Sequence, residues 1–404
     1  MSGLGDSRVA PLGSRAPIRV VIAGGGTAGH VLPGLAIAEE LVDRGLAADR
    51  CSVLMVGSKR GIESDLVPPA GFGLHLLPGR GIQRRLTLVN LLTGVSLLVA
   101  ATRAFFLLLR RRPDAVVVLG GYASVPCGLA AVLLRIPIMV AEQNAIPGAA
   151  NRLLGRFARA CAISFEGTSL PRAVVTGNPV RPAVRRAGMD NGFRLEARQN
   201  LGIGDRPFVV VFGGSLGSRQ INRATTAAVE NWTGGPVVLQ HVVGQRGWSV
   251  GLGERARSAP PAVDYRPVEY EKDMPTVLSA ADLVICRAGA TTVAELSVLA
   301  VPAVLVPLPG APDDHQTANA SRLAAAGAAL LVADDDLEEV LLSGLLSDLV
   351  ADFSTLKTMS EASRHLGRPD AARRVVDLLL DVLADRGKPL PVSIEDRRPV
   401  RGAS

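Results

Sequence analysis

Two short, mostly apolar runs rich in β-branched residues organise the chain. Ile18-Arg19-Val20-Val21-Ile22 leads into Ala23-Gly24-Gly25-Gly26-Thr27-Ala28-Gly29-His30, and about 190 residues later Phe208-Val209-Val210-Val211-Phe212 leads into Gly213-Gly214-Ser215-Leu216-Gly217-Ser218. Each reads as a buried strand, a glycine-rich turn and a helix. After the first turn Val31, Leu35, Ala38 and Val42 recur at helical spacing, with Pro33 in the opening turn, where proline is tolerated. Further strands are predicted over Val53 to Val56, Ala115 to Leu119 and Ile138 to Ala141 in the first half. In the second half they fall over Val237 to His241, Leu283 to Cys286, Ala303 to Val306 and Ala328 to Val332. Strands alternating with helix-compatible stretches in both halves predict an α/β protein of two Rossmann-like, parallel, doubly wound domains. Pro, Arg and Gly interrupt the periodicity between Pro179 and Gly192. The predicted division is a leader over 1–17, a first domain over 18–183, a second over 184–385 and an unstructured tail over 386–404.

Composition agrees with this division. A chain of 404 residues suits two domains, and 48% apolar with only 3% aromatic residues leaves the cores to Val, Leu, Ala and Ile, as in buried parallel strands. The four cysteines are scattered and no His or Cys group has ligand spacing, so neither a disulfide framework nor a zinc site is expected, and no metal or cofactor enters the reading. The leader lacks the apolar core of a secretion signal, which predicts a cytoplasmic protein. A net charge of +7 favours an anionic partner. The shortage of aromatic residues for base stacking speaks against nucleic acid.

A strand that ends in glycines before a helix leaves backbone N–H groups beside the positive end of the helix dipole, which is an anion site. Such turns also serve simply as tight connections, and one loop alone does not decide; two matching loops facing one cleft favour phosphate. Gly24, Gly26 and Gly29 also fit the dinucleotide spacing. The second strand, however, ends in Gly57-Ser58-Lys59-Arg60 with no acidic residue for a ribose, which disfavours NAD and leaves NADP open. A third loop, Arg287-Ala288-Gly289-Ala290, opens a helix carrying Glu295, placed either to take two ribose hydroxyls or merely to complement the helix dipole.

Six blocks, in this order, resemble the MurG family of glycosyltransferases from Ile18 to about Leu383. They are Gly25-Gly26-Thr27-Ala28-Gly29-His30, Gly120-Gly121-Tyr122, Glu142-Gln143-Asn144, Gly177-Asn178-Pro179-Val180-Arg181, Gly213-Gly214-Ser215, and Cys286-Arg287-Ala288-Gly289-Ala290-Thr291-Thr292-Val293-Ala294-Glu295. The resemblance implies a GT-B architecture, two Rossmann-like domains facing a deep cleft. It also implies inverting transfer of N-acetylglucosamine from UDP-GlcNAc to the 4-hydroxyl of a lipid-linked muramyl-pentapeptide in peptidoglycan synthesis. By the same resemblance Ser215 and Arg181 meet the donor diphosphate, Ala290, Thr291, Thr292 and Val293 line the uridine, and Glu295 holds the ribose. Gln316 contacts the transferred sugar, over which Thr27, Ala28, Gly29 and Asn144 close. Gly26, Gly120, Gly121 and Tyr122 hold the lipid diphosphate. The sequence departs from the family pattern at Ala28, where glycine is usual, at His315 before Gln316, and at Glu271, which replaces an apolar residue beside the uracil and stays outside the predicted site.

Inverting transfer needs a base at the acceptor hydroxyl and positive charge at the departing diphosphate. His30 is the first candidate base because imidazole titrates near neutrality. It serves equally well as a hydrogen-bonding partner of the acceptor or the loop, and Glu142 stands in reserve. Between Arg84-Arg85 and Arg110-Arg111-Arg112 lies the apolar stretch Leu86 to Leu109, interrupted by Asn90 and Arg103. An internal arginine is costly in a bilayer, so the stretch is read as a surface segment, part of it core helix, with Leu91, Leu98 and Phe105 facing an anionic inner-membrane surface. The expected location is peripheral, at the cytoplasmic face, with protein partners in cell-wall and division complexes. The alternatives are another GT-B enzyme such as a UDP-sugar 2-epimerase, an NADP-dependent oxidoreductase, and a non-catalytic membrane-docking protein.

Overall fold

Each of the two organising runs becomes a central strand of its own parallel sheet. The computed structural model describes residues 17–59, 61–79, 88–214, 216–251, 259–337 and 339–385, and for residues 88–95, 191 and 339–341 it describes the backbone alone. The first sheet contains β1 (Val20–Gly24), β2 (Val53–Ser58), β3 (Gly73–Leu77), β4 (Ala115–Gly120), β5 (Ile138–Glu142), β6 (Ala160–Ile163) and β7 (Ala173–Val175), in the order β3-β2-β1-β4-β5-β6-β7. The second contains β8 (Phe208–Phe212), β9 (Val237–Val242), β10 (Val263–Val268), β11 (Leu283–Cys286), β12 (Ala303–Leu305) and β13 (Ala329–Leu331), in the order β10-β9-β8-β11-β12-β13. All of these pairs are parallel.

In each sheet the strand order reverses beside the strand that carries the glycine loop, between β1 and β4 and between β8 and β11. At such a switch point the connections leave in opposite directions and open a crevice at the carboxyl ends of the strands. Both glycine loops therefore sit where a ligand can enter. At the first crevice the β1–β4 register shifts so that Gly24 pairs with Gly120.

All the strands expected from the apolar runs form, with small shifts at their ends. The strand expected from Ile18 begins at Val20, and the N–H of Ile18 instead donates to Leu46 O at 2.9 Å. Strands β3, β6, β7 and β10 were not anticipated. Edge strands β3 and β7 are partly or wholly exposed, so they lack the continuous apolar run that marks a buried strand.

The helix Ala371–Ala384, expected in the second domain, packs against the first. Its Val375, Val376, Leu379, Leu380 and Leu383 share one buried cluster with Val20, Ile22, Ile37, Leu41 and Met139. The chain thus crosses between lobes twice, near Gly177 and again near Gly367, where a Cβ on Gly177 would overlap Arg368. The leader, apart from Pro17, and the tail lie outside the described residues.

The basic, leucine-rich stretch forms the helix Leu88–Arg111. Ala100, Ala104 and Leu108, spaced four apart, form its buried face. Leu98 is 69% exposed and Phe106 56%, whereas Phe105 packs partly buried against the core. Phe106 therefore takes the outward position expected for Phe105, because Phe105 lies next to the buried Ala104 on the inward side. The side chain of Leu91, together with Arg84 and Arg85, lies outside the described residues. Among the described residues no helix is long and apolar enough to cross a membrane.

Since Leu379 is wholly buried in the first lobe, Leu379→Ala should cost about 2–5 kcal/mol through the cavity it leaves. Denaturant unfolding measures that cost. Hydrogen exchange should then rise in β1 and in the helix Ala28–Asp43, and a rise confined to β8–β13 would contradict the packing described.

Candidate active site

The first glycine loop is shaped by a buried carboxylate. Glu63 Oε1 accepts from Gly26 N and Ser58 N, each at 2.9 Å. Gly25, Gly57 and Gly61 surround this carboxylate so closely that a Cβ on any of them would overlap it. The Gly26 amide, expected to cradle the lipid diphosphate, is thus already engaged. Thr27 follows as N-cap of the helix Ala28–Asp43, and its Oγ1 lies 3.3 Å from His30 Nδ1. Ala28 is exposed and Gly29 half-buried at this helix start.

The neighbouring loop comes from β4. Gly120 and Gly121 both have left-handed backbone, at φ 104° and 76°, a conformation that favours glycine. A Cβ on Gly121 would overlap Gly25 O, and one on Gly120 would lie 3.0 Å from His30 Nε2. The two glycines thus let the loop lie against both Gly25 and the imidazole. The Tyr122 hydroxyl donates to Pro78 O at 2.9 Å, which anchors the ring instead of leaving the hydroxyl free for an acceptor.

Half-buried His30 has its pKa held below the ordinary imidazole value of 6.5 by burial, opposed chiefly by the charge of Glu142 and a hydrogen bond with the Gly25 backbone. At neutral pH it is therefore uncharged and able to accept a proton. Glu142 is committed elsewhere. Its Oε1 accepts from Asn144 N at 2.9 Å and Nδ2 at 3.2 Å, and its Oε2 from Gly148 N at 3.0 Å and Asn151 Nδ2 at 2.8 Å. Four donors thus engage its two oxygens and tie the carboxylate to its own loop. The carboxylate named as reserve base holds the 142–151 loop.

On the second lobe Gly289 caps the helix Ala290–Leu299. Thr291 Oγ1 donates across the cleft to Gly29 O at 3.4 Å. Ala290, Val293 and Glu295 are buried and Thr292 half-buried. Arg181 grips Glu295 through Nε at 2.6 Å and Nη2 at 2.7 Å, so the two residues expected on different parts of the donor form a pair. Gln316 Oε1 accepts from Leu308 N at 3.0 Å. Glu271 accepts from Gln240 Nε2 at 2.7 Å, which answers how a carboxylate is tolerated there. Ser215 lies outside the described residues. The flanking Gly213, Gly217 and Ser218 line a cavity of about 860 Å³ together with Arg219, Arg246 and Arg287.

Motif spacing did not mark Glu63, Asn151 or Asn319. Asn319 is fully buried on the helix His315–Ala325 and bonds Ala145 N, Asn144 Oδ1 and Ala288 O, two of them in the opposite lobe. Arg152 to Asp313 at 3.0 Å and Arg185 to Glu40 at 2.8 Å are further bridges between lobes.

Comparison with known proteins agrees with this geometry. The glycosyltransferase family 28 N-terminal domain matches residues 20–163, and the family 28 C-terminal domain matches residues 208–375. A Myxococcus xanthus protein named UDP-N-acetylglucosamine--N-acetylmuramyl-(pentapeptide) pyrophosphoryl-undecaprenol N-acetylglucosamine transferase is 39% identical, covering 95% of this chain and 99% of its own. The protein of that name from Alkalilimnicola ehrlichii is 41% identical, covering 90% and 98%. Among solved structures, Acinetobacter baumannii MurG aligns with a TM-score of 0.72 and 31% identity over 90% of this chain and all of that one. A UDP-GlcNAc 2-epimerase from Neisseria meningitidis aligns at 0.62 over 91% of this chain and all of its own, but at 14% identity it shares the fold alone. Two doubly wound lobes meeting at their switch points are the GT-B arrangement, and with both domain models matched in order the chain belongs to glycosyltransferase family 28.

Proposed function

We propose that the protein transfers N-acetylglucosamine from UDP-GlcNAc to a lipid-linked N-acetylmuramyl-pentapeptide, as the names of its relatives state for them. The observation that carries this reading is the meeting of the His30 loop with the start of the helix Ala290–Leu299 across one cleft, at the Thr291 to Gly29 contact. The donor lies on the second lobe and the acceptor enters from the first. Arg181 spends Nε and Nη2 on Glu295 and keeps Nη1 for the diphosphate. Each Glu295 oxygen keeps a second lone pair for a ribose hydroxyl. Both expected contacts are thus compatible with the pair, and Arg181 gains a fixed orientation from it.

His30 takes the proton as the acceptor 4-hydroxyl attacks the anomeric carbon. The bond from that carbon to the diphosphate oxygen breaks on the opposite face, and the negative charge leaves with UDP toward Arg181 and the Ser215 loop. Ser215, Ala290, Thr292, Val293 and Gln316 complete the donor side, and Asn144 closes over the sugar. Gly120, Gly121 and Tyr122 shape the acceptor side. The outward Leu98, Phe106 and Leu109, with Arg110 to Arg112 at the helix end, meet an anionic membrane surface at the cytoplasmic face, where cell-wall and division proteins would also gather.

Acceptor-dependent release of UDP tests the reaction directly. His30→Ala should lower kcat by about 10²–10⁴-fold while leaving UDP affinity unchanged. A base must be neutral to act, so kcat/KM for the wild type should fall on acidification with a midpoint below 6.5, the side to which burial moves His30. A midpoint above that value would argue against His30 as the titrating group. Glu295→Gln keeps the shape but gives up the charge, and calorimetry should show UDP binding weakened by roughly ten- to a hundredfold. Unchanged affinity would remove Glu295 from the donor site. For the membrane face, Leu98→Ser with Phe106→Ser should weaken binding to anionic vesicles, and replacing Arg110 to Arg112 by Gln should abolish its salt dependence. Equal losses on a short-chain soluble acceptor would assign these residues to the fold instead.

A further inference from the structure

Asn319 sits where the two lobes exchange a directed chain of side-chain hydrogen bonds. Its Oδ1 accepts from Ala145 N at 2.9 Å, and its Nδ2 donates to Asn144 Oδ1 and to Ala288 O, each at 3.1 Å. The residue is fully buried, so each bond is formed away from competing water and is costly to leave unmade. Ala288 belongs to the second-lobe loop that opens into the helix Ala290–Leu299, whereas Asn144 and Ala145 follow β5 in the first lobe.

The polarity of this chain is fixed by its ends. An asparagine amide can usually be turned over without much cost, but here a backbone N–H faces one side and a backbone carbonyl the other. Ala145 N can only donate and Ala288 O can only accept, so the Asn319 oxygen must face Ala145 and its nitrogen Ala288. The same nitrogen presents a second N–H to Asn144, whose oxygen must then turn toward it. On its far side Asn144 Nδ2 meets Glu142 Oε1 at 3.2 Å, and a carboxylate that accepts from four donors confirms that orientation. One N–H and one lone pair of the Asn144 carboxamide remain uncommitted, in directions dictated by Asn319. A hexosamine, with hydroxyls and an N-acetyl group, offers partners for both.

We propose that Asn319 is a positioning residue for sugar transfer, a latch that orients the Asn144 carboxamide only when the lobes are closed and the Ala288 loop is in place. The proposal rests on the functional reading above, in which Asn144 closes over the transferred sugar. Opening the cleft breaks the bonds to Ala145 and Asn144 but not the one to Ala288. Asn144 is then free to rotate, and its contact with the sugar is made only on closure. Loss of the latch should therefore appear in turnover more than in binding of the nucleotide half of the donor.

The experiment compares wild type, Asn319→Leu, Asn144→Ala and the double variant in acceptor-dependent UDP release, with UDP binding measured by calorimetry. Asn319→Leu should lower kcat by about tenfold or more and leave UDP affinity within about twofold. The double variant should be no slower than Asn144→Ala alone, because two residues acting through one contact are not additive. Multiplicative losses in the double variant, or normal turnover in Asn319→Leu, would overturn the proposal. Should Asn319→Leu fail to fold, Asn319→Asp keeps an acceptor for Ala145 N while changing the donor side, and its loss should likewise vanish in the Asn144→Ala background. A wild type without acceptor-dependent UDP release sinks the functional reading and this inference together, whereas an active wild type beside an indifferent Asn319→Leu sinks this inference alone.

Discussion

The structure depends on one buried charge, the carboxylate of Glu142 at the end of β5. Taking a carboxylate out of water is costly unless donors replace the lost hydration, and here four N–H groups do so, from Asn144 backbone and side chain, Gly148 and Asn151. To deliver them the chain must turn back on itself between residues 142 and 151. That turn places Asn144 toward the second lobe and Asn151 beneath Gly120, whose hypothetical Cβ would lie 3.4 Å from Asn151 Nδ2 and 3.0 Å from His30 Nε2. The negative charge also partly offsets the effect of burial on His30. A residue that looked like a spare base thus orders its own loop and acts on the neighbouring imidazole through its charge.

The same economy governs the second lobe. A bidentate guanidinium–carboxylate pair is a planar clamp, and the pairing of Arg181 with Glu295 ties the segment that leaves the first lobe to the helix Ala290–Leu299. The Glu295 side chain is 5% exposed and that of Arg181 27%. The acid is thus buried in the lobe and the guanidinium reaches from it toward the cleft. An unpaired arginine there would be free to sample several rotamers. The pair spends that entropy on folding, and closure of the lobes then has one arrangement to find.

The sequence was legible at most strands buried on both faces, where a continuous apolar run marks them, but the fully buried β6 is only four residues long and was missed. Legibility held for the central strands of both sheets, for the switch-point loops between them, and for the pattern of glycines at Gly25, Gly120 and Gly121. It failed at β3 and β7, because an exposed edge strand has no such run, and at the helix Ala371–Ala384, because amphipathic periodicity says that a face is buried but not against which lobe. It was ambiguous for Phe105 and Phe106, neighbours about 100° apart on a helix whose inward face only the packing reveals. In the site, the glycine motifs were visible from spacing. Glu63, Asn151 and Asn319 were not, since each acts through long-range contacts, with Asn319 bonding Ala145 174 positions away in the chain.

Glu63 changes what the first glycine loop means. From sequence, three glycines before a helix read as an empty cradle for phosphate. In the structure the cradle already holds an acceptor, the protein's own, and the glycines are needed because Gly25, Gly57 and Gly61 must fit around that carboxyl group. With the Gly26 amide engaged, the donors left for a ligand are the first-turn amides of the helix Ala28–Asp43, at Ala28 and Gly29, which no intrahelical partner can satisfy. These share the first turn with His30, and the Gly29 carbonyl accepts from Thr291 of the other lobe. The internal carboxyl group therefore does more than fill space: it takes up the Gly26 amide and leaves the open amides on the helix rather than on the loop. Ala28 is exposed there, so its methyl forms part of the surface of the helix start.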